Sequence, residues 1–219
     1  MEIIIAPSIL AGDFKILGEQ IKRTERAGAK YLHFDVMDGN FVPSISFGMP
    51  VLESIKGLTE QVLDVHLMID EPIRYIKDFV KSGADSITVH IEACSDIDAT
   101  LREIRSYGAK AGVSIKPATP ISKLAKVIGK VDLVLIMTVE PGFGGQPLIR
   151  ETLGKISEVR EMIFTRGLDT DVQVDGGITH GNAHEVIAAG ANIIVSGTSI
   201  FKGDIEDNIR KFMKIAKKK

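Results

Sequence analysis

Four stretches of this chain repeat one junction: "AGAKYLHFD" (27–35), "SGADSITVH" (82–90), "YGAKAGVSI" (107–115) and "AGANIIVSG" (189–197). Each reads as a helix end, a Gly-Ala turn and then a strand. Gly28, Gly83, Gly108 and Gly190 sit where a helix stops in left-handed backbone. One αβ junction used four times argues for one architecture throughout. Strands alternating with helices give parallel β-structure joined by right-handed crossovers. The strand candidates are "EIIIA", "YLHFDVM", "VLDVHLM", "SITVHIE", "KAGVSIK", "DLVLIMTV", "DVQVDG" and "NIIVSG". Eight such units in 219 residues predict an α/β fold, a single (β/α)8 TIM barrel domain spanning 1–219. An open doubly wound sheet is the rival, but it calls for a Gly-rich turn after the first strand, and "APSILAGDF" has none.

The segments between strands carry helical spacing. In "SDIDATLREIRSYG", Ile97, Leu101 and Ile104 fall on one face, with Ser95 as the expected cap and Gly108 as the stop. "TPISKLAKVIG" predicts a helix capped by Thr119, with Pro120 in its first position and Gly129 at its end.

Composition removes several classes of function. Hydrophobic residues make up 44% and charged residues 26%, and the net charge of −2 offers no basic field to nucleic acid or anionic membrane. The run "KIAKKK" at the C-terminus reads as a solvated helix end. Cys94 is the one cysteine, so no internal disulfide is available and a reducing, cytoplasmic setting is expected. "MEIIIAPSIL" has too short an apolar run for a signal peptide, and no stretch approaches the roughly 20 apolar residues of a membrane helix.

The strands turn polar where a barrel keeps its chemistry, at their carboxyl ends. Side chains alternate along a strand, so His33, Asp35 and Met37 share a face while Phe34 and Val36 share the other. Asp64, His66 and Met68 repeat the pattern, as do Thr88, His90 and Glu92, and Asp175 closes "QVDGG". Charge is costly to bury unless it is paired or metal-bound. Two imidazoles and two carboxylates suit a divalent cation. His33, Asp35 and His66 form the core of that pattern. His90 has the same parity and reads as a supporting or packing residue. Asp64 either orients a ligand or is a buried carboxylate bonded to backbone or to a neighbouring strand. His180 and His184 read as a chance pair on an exposed helix.

Three Gly-rich turns follow strands six, seven and eight: "PGFGGQ" (141–146), "DGGI" (175–178) and "SGTS" (196–199). Free backbone N–H groups at such turns bind phosphate, and Thr198 or Ser199 adds a hydroxyl donor. A phosphorylated small molecule reaching from these turns to the cation is the expected ligand.

"APSILAGDF", "HFDVMDGNFVP", "LDVHLM", "DLVLIMTVEPGFGGQ" and "VDGGI" together resemble the ribulose-phosphate 3-epimerase family, nearly end to end. The resemblance implies a ribulose-phosphate-binding (β/α)8 barrel and interconversion of D-ribulose 5-phosphate and D-xylulose 5-phosphate with one divalent metal ion (Zn, Fe, Mn or Co). It also implies a small phosphorylated ketose as substrate and a homo-oligomer as assembly. Carried over by motif, His33, Asp35, His66 and Asp175 are the metal ligands, and Asp35 and Asp175 are the acid–base pair. Ser8, His66, Gly142, Phe143, Gly144, Gly145, Asp175, Gly176, Gly177, Gly197 and Thr198 are the substrate contacts, and Met37, Met68 and Met137 line the reacting carbons. Asn40 and Ser44 depart from the commonest family pattern, and Lys116 matches only some members.

Epimerising a carbon beside a ketone requires proton removal on one face and return on the other. Asp35 and Asp175 serve if strands two and seven lie on opposite sides of the barrel. A 3-epimerase of a six-carbon ketose phosphate such as D-allulose 6-phosphate shares this chemistry. A Schiff-base aldolase using Lys116 and a non-catalytic sugar-phosphate sensor are the competing classes.

Overall fold

The computed structural model describes residues 2–217; Met1 and the last two lysines of "KIAKKK", Lys218 and Lys219, lie outside the described residues. Eight strands run in chain order: β1 (Ile4–Pro7), β2 (Tyr31–Met37), β3 (Val62–Met68), β4 (Ser86–His90), β5 (Lys110–Ile115), β6 (Leu133–Met137), β7 (Asp171–Asp175) and β8 (Ile193–Ser196). All pair parallel in the order β1-β8-β7-β6-β5-β4-β3-β2, and a parallel bridge between Ser8 and His33 joins the two ends of the sheet. This is the (β/α)8 barrel that the repeated junction implied. The four junction glycines adopt φ of 93°, 117°, 84° and 115°, the left-handed stop read from their spacing.

Around the ring β2 and β7 are separated on their shorter side by β1 and β8. They stand three steps apart, one short of the diametric placement expected for two acids on opposite walls.

The outer layer holds α1 (Leu17–Arg26), α2 (Met49–Ile55), α3 (Ile76–Ser82), α4 (Ile97–Ser106), α5 (Thr152–Thr165), α6 (Ala183–Ala188), α7 (Thr198–Phe201) and α8 (Ile205–Ala216). Strand residues facing outward, among them Phe34, Val65, Ile87, Val113, Val134 and Val172, pack with Ile21, Leu52, Phe79, Leu101, Val159 and Ile209 of the helices into one apolar cluster. Each fully buried side chain of this size contributes roughly 1.5–3 kcal/mol. The barrel's interior has smaller apolar groups: Ala6, Tyr31, Leu133, Ile193 and Val195 in one, and Met37, Val42 and Met68 in another. Every residue of β2 is buried, as expected of a parallel strand covered on both faces.

Two local expectations are corrected. Asp96, not Ser95, caps α4: its carboxylate accepts the Ala99 N–H at 2.9 Å, while Ser95 is held by Glu71 through both its N–H and its hydroxyl at 3.0 Å. Between β5 and β6 there is no α-helix; "TPISKLAKVIG" forms two 3₁₀ turns, Ile121–Lys126 and Ile128–Lys130. Thr119 cannot cap there because its hydroxyl donates to the Glu92 carboxylate, and Pro120 takes the extended conformation at φ −70°, ψ 142°. β-Branched Ile121, Val127 and Ile128 favour the α-helix little enough that the tighter turns prevail.

Candidate active site and metal centre

Parallel register places the polar residues of β2 and β3 side by side. His33 pairs with Asp64, Asp35 with His66 and Met37 with Met68. At the next strand His66 lies level with Thr88, and on the far side Met137 is paired with Asp175. His33, Asp35, His66 and Asp175 converge so that one donor atom from each lies within 4.8 Å of the others. His33 Nε2 and His66 Nδ1 each approach Asp35 Oδ1 at 3.2 Å, and Asp175 Oδ2 lies 4.0 Å from His66 Nδ1.

The two imidazoles present opposite nitrogens to this point, and each is held from behind. His33 Nδ1 lies 2.8 Å from Asp64 Oδ2, which also accepts the Gln173 amide at 2.6 Å. Asp64 therefore bonds to side chains of two other strands and, in doing so, fixes the His33 ring from behind. Gln173 was not singled out from sequence, since its role depends on a contact 109 residues away. His66 Nε2 meets His90 Nε2 at 2.9 Å, and His90 Nδ1 meets Glu92 Oε2 at 3.2 Å. Glu92 lies just past the end of β4, yet stays in reach of His90.

Electrostatics separate the two central acids. Burial opposes ionisation of Asp35, but its close approach to His33, and then to His66, outweighs it and holds the carboxyl well below the usual range. Asp175 lacks such partners: burial first, then the Asp35 charge, push it up to about 6. For His33, burial disfavours the charged form and the Asp35 and Asp64 carboxylates override it, raising its pKa well above the ordinary value. Burial takes His90 down to about 4. Glu92 ends at about 2, where hydrogen bonds from His90, Thr119 and the Lys116 backbone outweigh burial.

The donor set fits a cation. His33 Nε2 is buried and, although 3.2 Å from Asp35 Oδ1, makes no aligned hydrogen bond, which leaves its bonding capacity unfilled at the point where the two carboxylates gather. Two imidazoles and two carboxylates are the ligands that divalent transition metals take.

Over this cluster opens a cavity of about 390 Å³. Asp35 and Asp175 form its floor, Met37, Met68 and Met137 its apolar wall, and the turns 142–146, 176–179 and 197–199 its rim. Ser8, Gly142, Phe143, Gly144, Gly145, Gly176, Gly177, Gly197 and Thr198 all line it, beside Leu10, Ala11, Val139, Gln146 and Thr179, which sequence reasoning did not single out. His33 and His66 have no exposed surface and stand in the ligand cluster, not in the cavity wall. Ser8 donates its hydroxyl to Asp35 Oδ2 at 2.6 Å.

The rim requires glycine at one position above all. Gly177 has φ 68°, and a Cβ there would lie 2.4 Å from the Leu148 nitrogen and 2.8 Å from the Gln146 oxygen. Among the described residues the N–H groups of Gly177, Gly197, Thr198 and Ser199 have no acceptor. Four unanswered amides around one opening are the kind of arrangement that suits an anion.

Three sequence-level candidates lie elsewhere. Lys116 sits beyond the end of β5 with Nζ 3.8 Å over the Phe41 ring, outside the cavity lining. His180 precedes α6 instead of lying on it, and its Nε2 contacts the Asn208 carbonyl at 3.0 Å while the ring packs 4.3 Å from Phe212. His184 is exposed.

A family model described as the ribulose-phosphate 3 epimerase family matches residues 4–201. The chain is 50% identical over 201 residues to ribulose-phosphate 3-epimerase of Synechocystis sp., covering 91% of this chain and 87% of that one. It is 48% identical over 198 residues to ribulose-phosphate 3-epimerase of Bacillus subtilis, covering 90% and 91%. Among solved structures, thiamine phosphate pyrophosphorylase from Pyrococcus furiosus superposes with a TM-score of 0.65 at 14% identity, over 99% of this chain and 96% of that one, a likeness of fold alone.

Proposed function

From the premise that the chain belongs to the ribulose-phosphate 3-epimerase family and is an epimerase of carbohydrate phosphates, we propose that it interconverts D-ribulose 5-phosphate and D-xylulose 5-phosphate with a divalent cation at His33, Asp35, His66 and Asp175. The observation that carries the proposal is the unanswered, fully buried His33 Nε2 among four convergent donors. A cation held there would act as a Lewis acid toward the substrate's ketone and neighbouring hydroxyl oxygens, worth several kcal/mol.

The protein's own groups carry the remaining steps. The amides of Gly177, Gly197, Thr198 and Ser199 bind the phosphate and anchor the sugar at the rim. Asp35, kept ionised by its histidines and aimed by the Ser8 hydroxyl, removes the C3 proton from one face. Asp175, which burial and the Asp35 charge bias toward the protonated form, delivers a proton to the other face of the enediolate. In the reverse direction the two exchange roles. Two carboxyls whose environments push their acidities apart are the usual form of such an acid–base pair. Met37, Met68 and Met137 cover the reacting carbons with polarizable surface that neither accepts nor gives a proton.

The test is a kinetic comparison of D-ribulose 5-phosphate with D-allulose 6-phosphate, run before and after chelation and readdition of zinc or manganese. The proposal expects the higher kcat/KM on the pentulose and loss and recovery of activity with the cation. Preference for the six-carbon substrate, or full activity after exhaustive chelation, would overturn it.

A further inference from the structure

Asp35, His66, His90 and Glu92 form an unbroken file of side chains running from the ligand cluster to the end of β4. Its contacts are Asp35 Oδ1 to His66 Nδ1 at 3.2 Å, His66 Nε2 to His90 Nε2 at 2.9 Å, and His90 Nδ1 to Glu92 Oε2 at 3.2 Å. Both imidazoles are fully buried, so water does not supply alternative partners. Each end of the file is a carboxylate, which accepts and cannot donate. In the neutral form that imidazole takes to ligate a cation, the two rings carry two N–H protons for three contacts, and the contact without a proton is decided by the file as a whole.

From this count we propose that Glu92, acting through His90, is the positioning residue that keeps His66 in its Nε2–H form and so leaves the Nδ1 lone pair free to bind the cation. The inference rests on the reading of His66 as a cation ligand. If Glu92 accepts from His90 Nδ1, His90 Nε2 has only a lone pair and must accept from His66 Nε2–H. His66 Nδ1 is then bare. In the opposite arrangement His66 Nδ1–H points at Asp35 and a His90 nitrogen lone pair faces the Glu92 carboxylate 3.2 Å away, a repulsion that nothing offsets, whereas a cation held by both His66 Nδ1 and Asp35 would offset the like contact at the other end.

Glu92 is itself fixed as an acceptor. Its Oε1 takes the Lys116 backbone N–H at 2.8 Å and the Thr119 hydroxyl, so the carboxylate is clamped from the β5 side and turned toward His90. The His90 ring is confined as well, with Phe41 4.9 Å away and the Lys116 ammonium 3.8 Å over the other ring. His33 obtains the same service by a shorter route, from Asp64 directly. Partners that orient ligating imidazoles typically govern metal affinity by 10- to 100-fold.

Glu92→Gln distinguishes this role from packing. The Lys116 N–H requires an oxygen, so the amide NH₂ turns toward His90 Nδ1 and makes it an acceptor. The protons of both imidazoles then shift, and His66 carries its proton on Nδ1. We expect Glu92→Gln to weaken zinc binding, measured by competition with a chelating dye, by 10- to 100-fold. Glu92→Asp, which keeps an acceptor-only group, should recover most of that loss. Nitrogen-15 NMR of the metal-free proteins should read a clearly larger Nδ1–H share for His66 in Glu92→Gln than in the wild type. Wild-type zinc affinity and an unchanged His66 tautomer in Glu92→Gln would overturn the proposal. So would equal losses of Tm in both variants with zinc affinity retained, the result of a packing role. Should Glu92→Gln fail to fold, His90 in the zinc-loaded wild type decides: Nδ1–H supports the proposal and Nε2–H overturns it. A wild type that takes up no zinc would defeat the cation reading instead, and the two tautomer spectra would still decide for or against Glu92.

Discussion

Asp35 and Asp175 start with the same intrinsic acidity and end far apart because of what each one touches. Asp35 has two imidazoles and a hydroxyl close by; for Asp175 burial and the Asp35 charge outweigh the more distant imidazoles. The consequence for stability follows from proton counting. With its folded pKa raised to about 6, Asp175 binds more proton in the folded than in the unfolded chain between about pH 4 and 6. Metal-free protein therefore loses stability as pH rises through that window, by on the order of 2–3 kcal/mol, and the loss is complete above it. Asp175→Asn should be more stable than the wild type at pH 8 in the presence of chelator, by a margin much larger than at pH 5. Urea midpoints at the two pH values measure this, and a destabilised variant at pH 8 would contradict it. Cys94 makes an independent prediction. Burial pushes its thiol up to about 12, so alkylation by iodoacetamide at pH 8 should be far slower than for a free cysteine. The inward parity of His33, Asp35 and His66 was legible from period-two alternation. The partners of His90 and Asp64 were not, because they depend on strand register, which a single sequence does not display.

Among the elements, β2 and β3 match their sequence-read limits residue for residue, since an apolar run that is buried almost throughout and preceded by a polar residue has few alternative placements. The segment after β5 did not, and the reason is tertiary: the hydroxyl that would have capped a helix is bound to Glu92. Likewise α4 takes Asp96 as its cap because Glu71 has already engaged Ser95. Asp96→Ala should therefore cost about 1 kcal/mol of stability by chemical denaturation, and Ser95→Ala less in its role at this helix end. The rim turns carry a harder constraint. Gly177→Ala meets both left-handed backbone and a nitrogen 2.4 Å away, so the turn must move. We expect KM for the phosphorylated substrate to rise by at least tenfold in that variant, with the four cation ligands left in place. An unchanged KM would show that the amides of this turn do not hold the phosphate.

The whole molecule matters to the site because no single element contains it. His33 and Asp35 come from β2, His66 from β3 and Asp175 from β7, so the four donors meet only when the sheet has curled far enough for Ser8 to bridge to His33. Binding a cation to the folded chain alone stabilises it by mass action, about 2.7 kcal/mol at a hundredfold excess over Kd. Chelation should accordingly lower Tm as well as remove activity, and both should return on readdition. The repeated Gly-Ala junction made the barrel readable before any coordinates, and the polar strand ends made one end of it the functional end. What distance along the chain concealed was the spacing of the two acids around the ring, three steps instead of four. That spacing still brings them to the cavity floor from two separate strands, and the central claim is that each serves one face of the sugar. Exchange of the C3 hydrogen with deuterated water, followed by NMR for both pentulose 5-phosphates, tests it most directly. With wild-type protein both epimers should exchange and interconvert; Asp35→Asn and Asp175→Asn should each abolish interconversion, roughly 10²-fold or more, and each should leave exchange on one epimer only, a different one in each variant. Interconversion at near wild-type rates in either variant, or exchange of both epimers by one remaining aspartate, would contradict it.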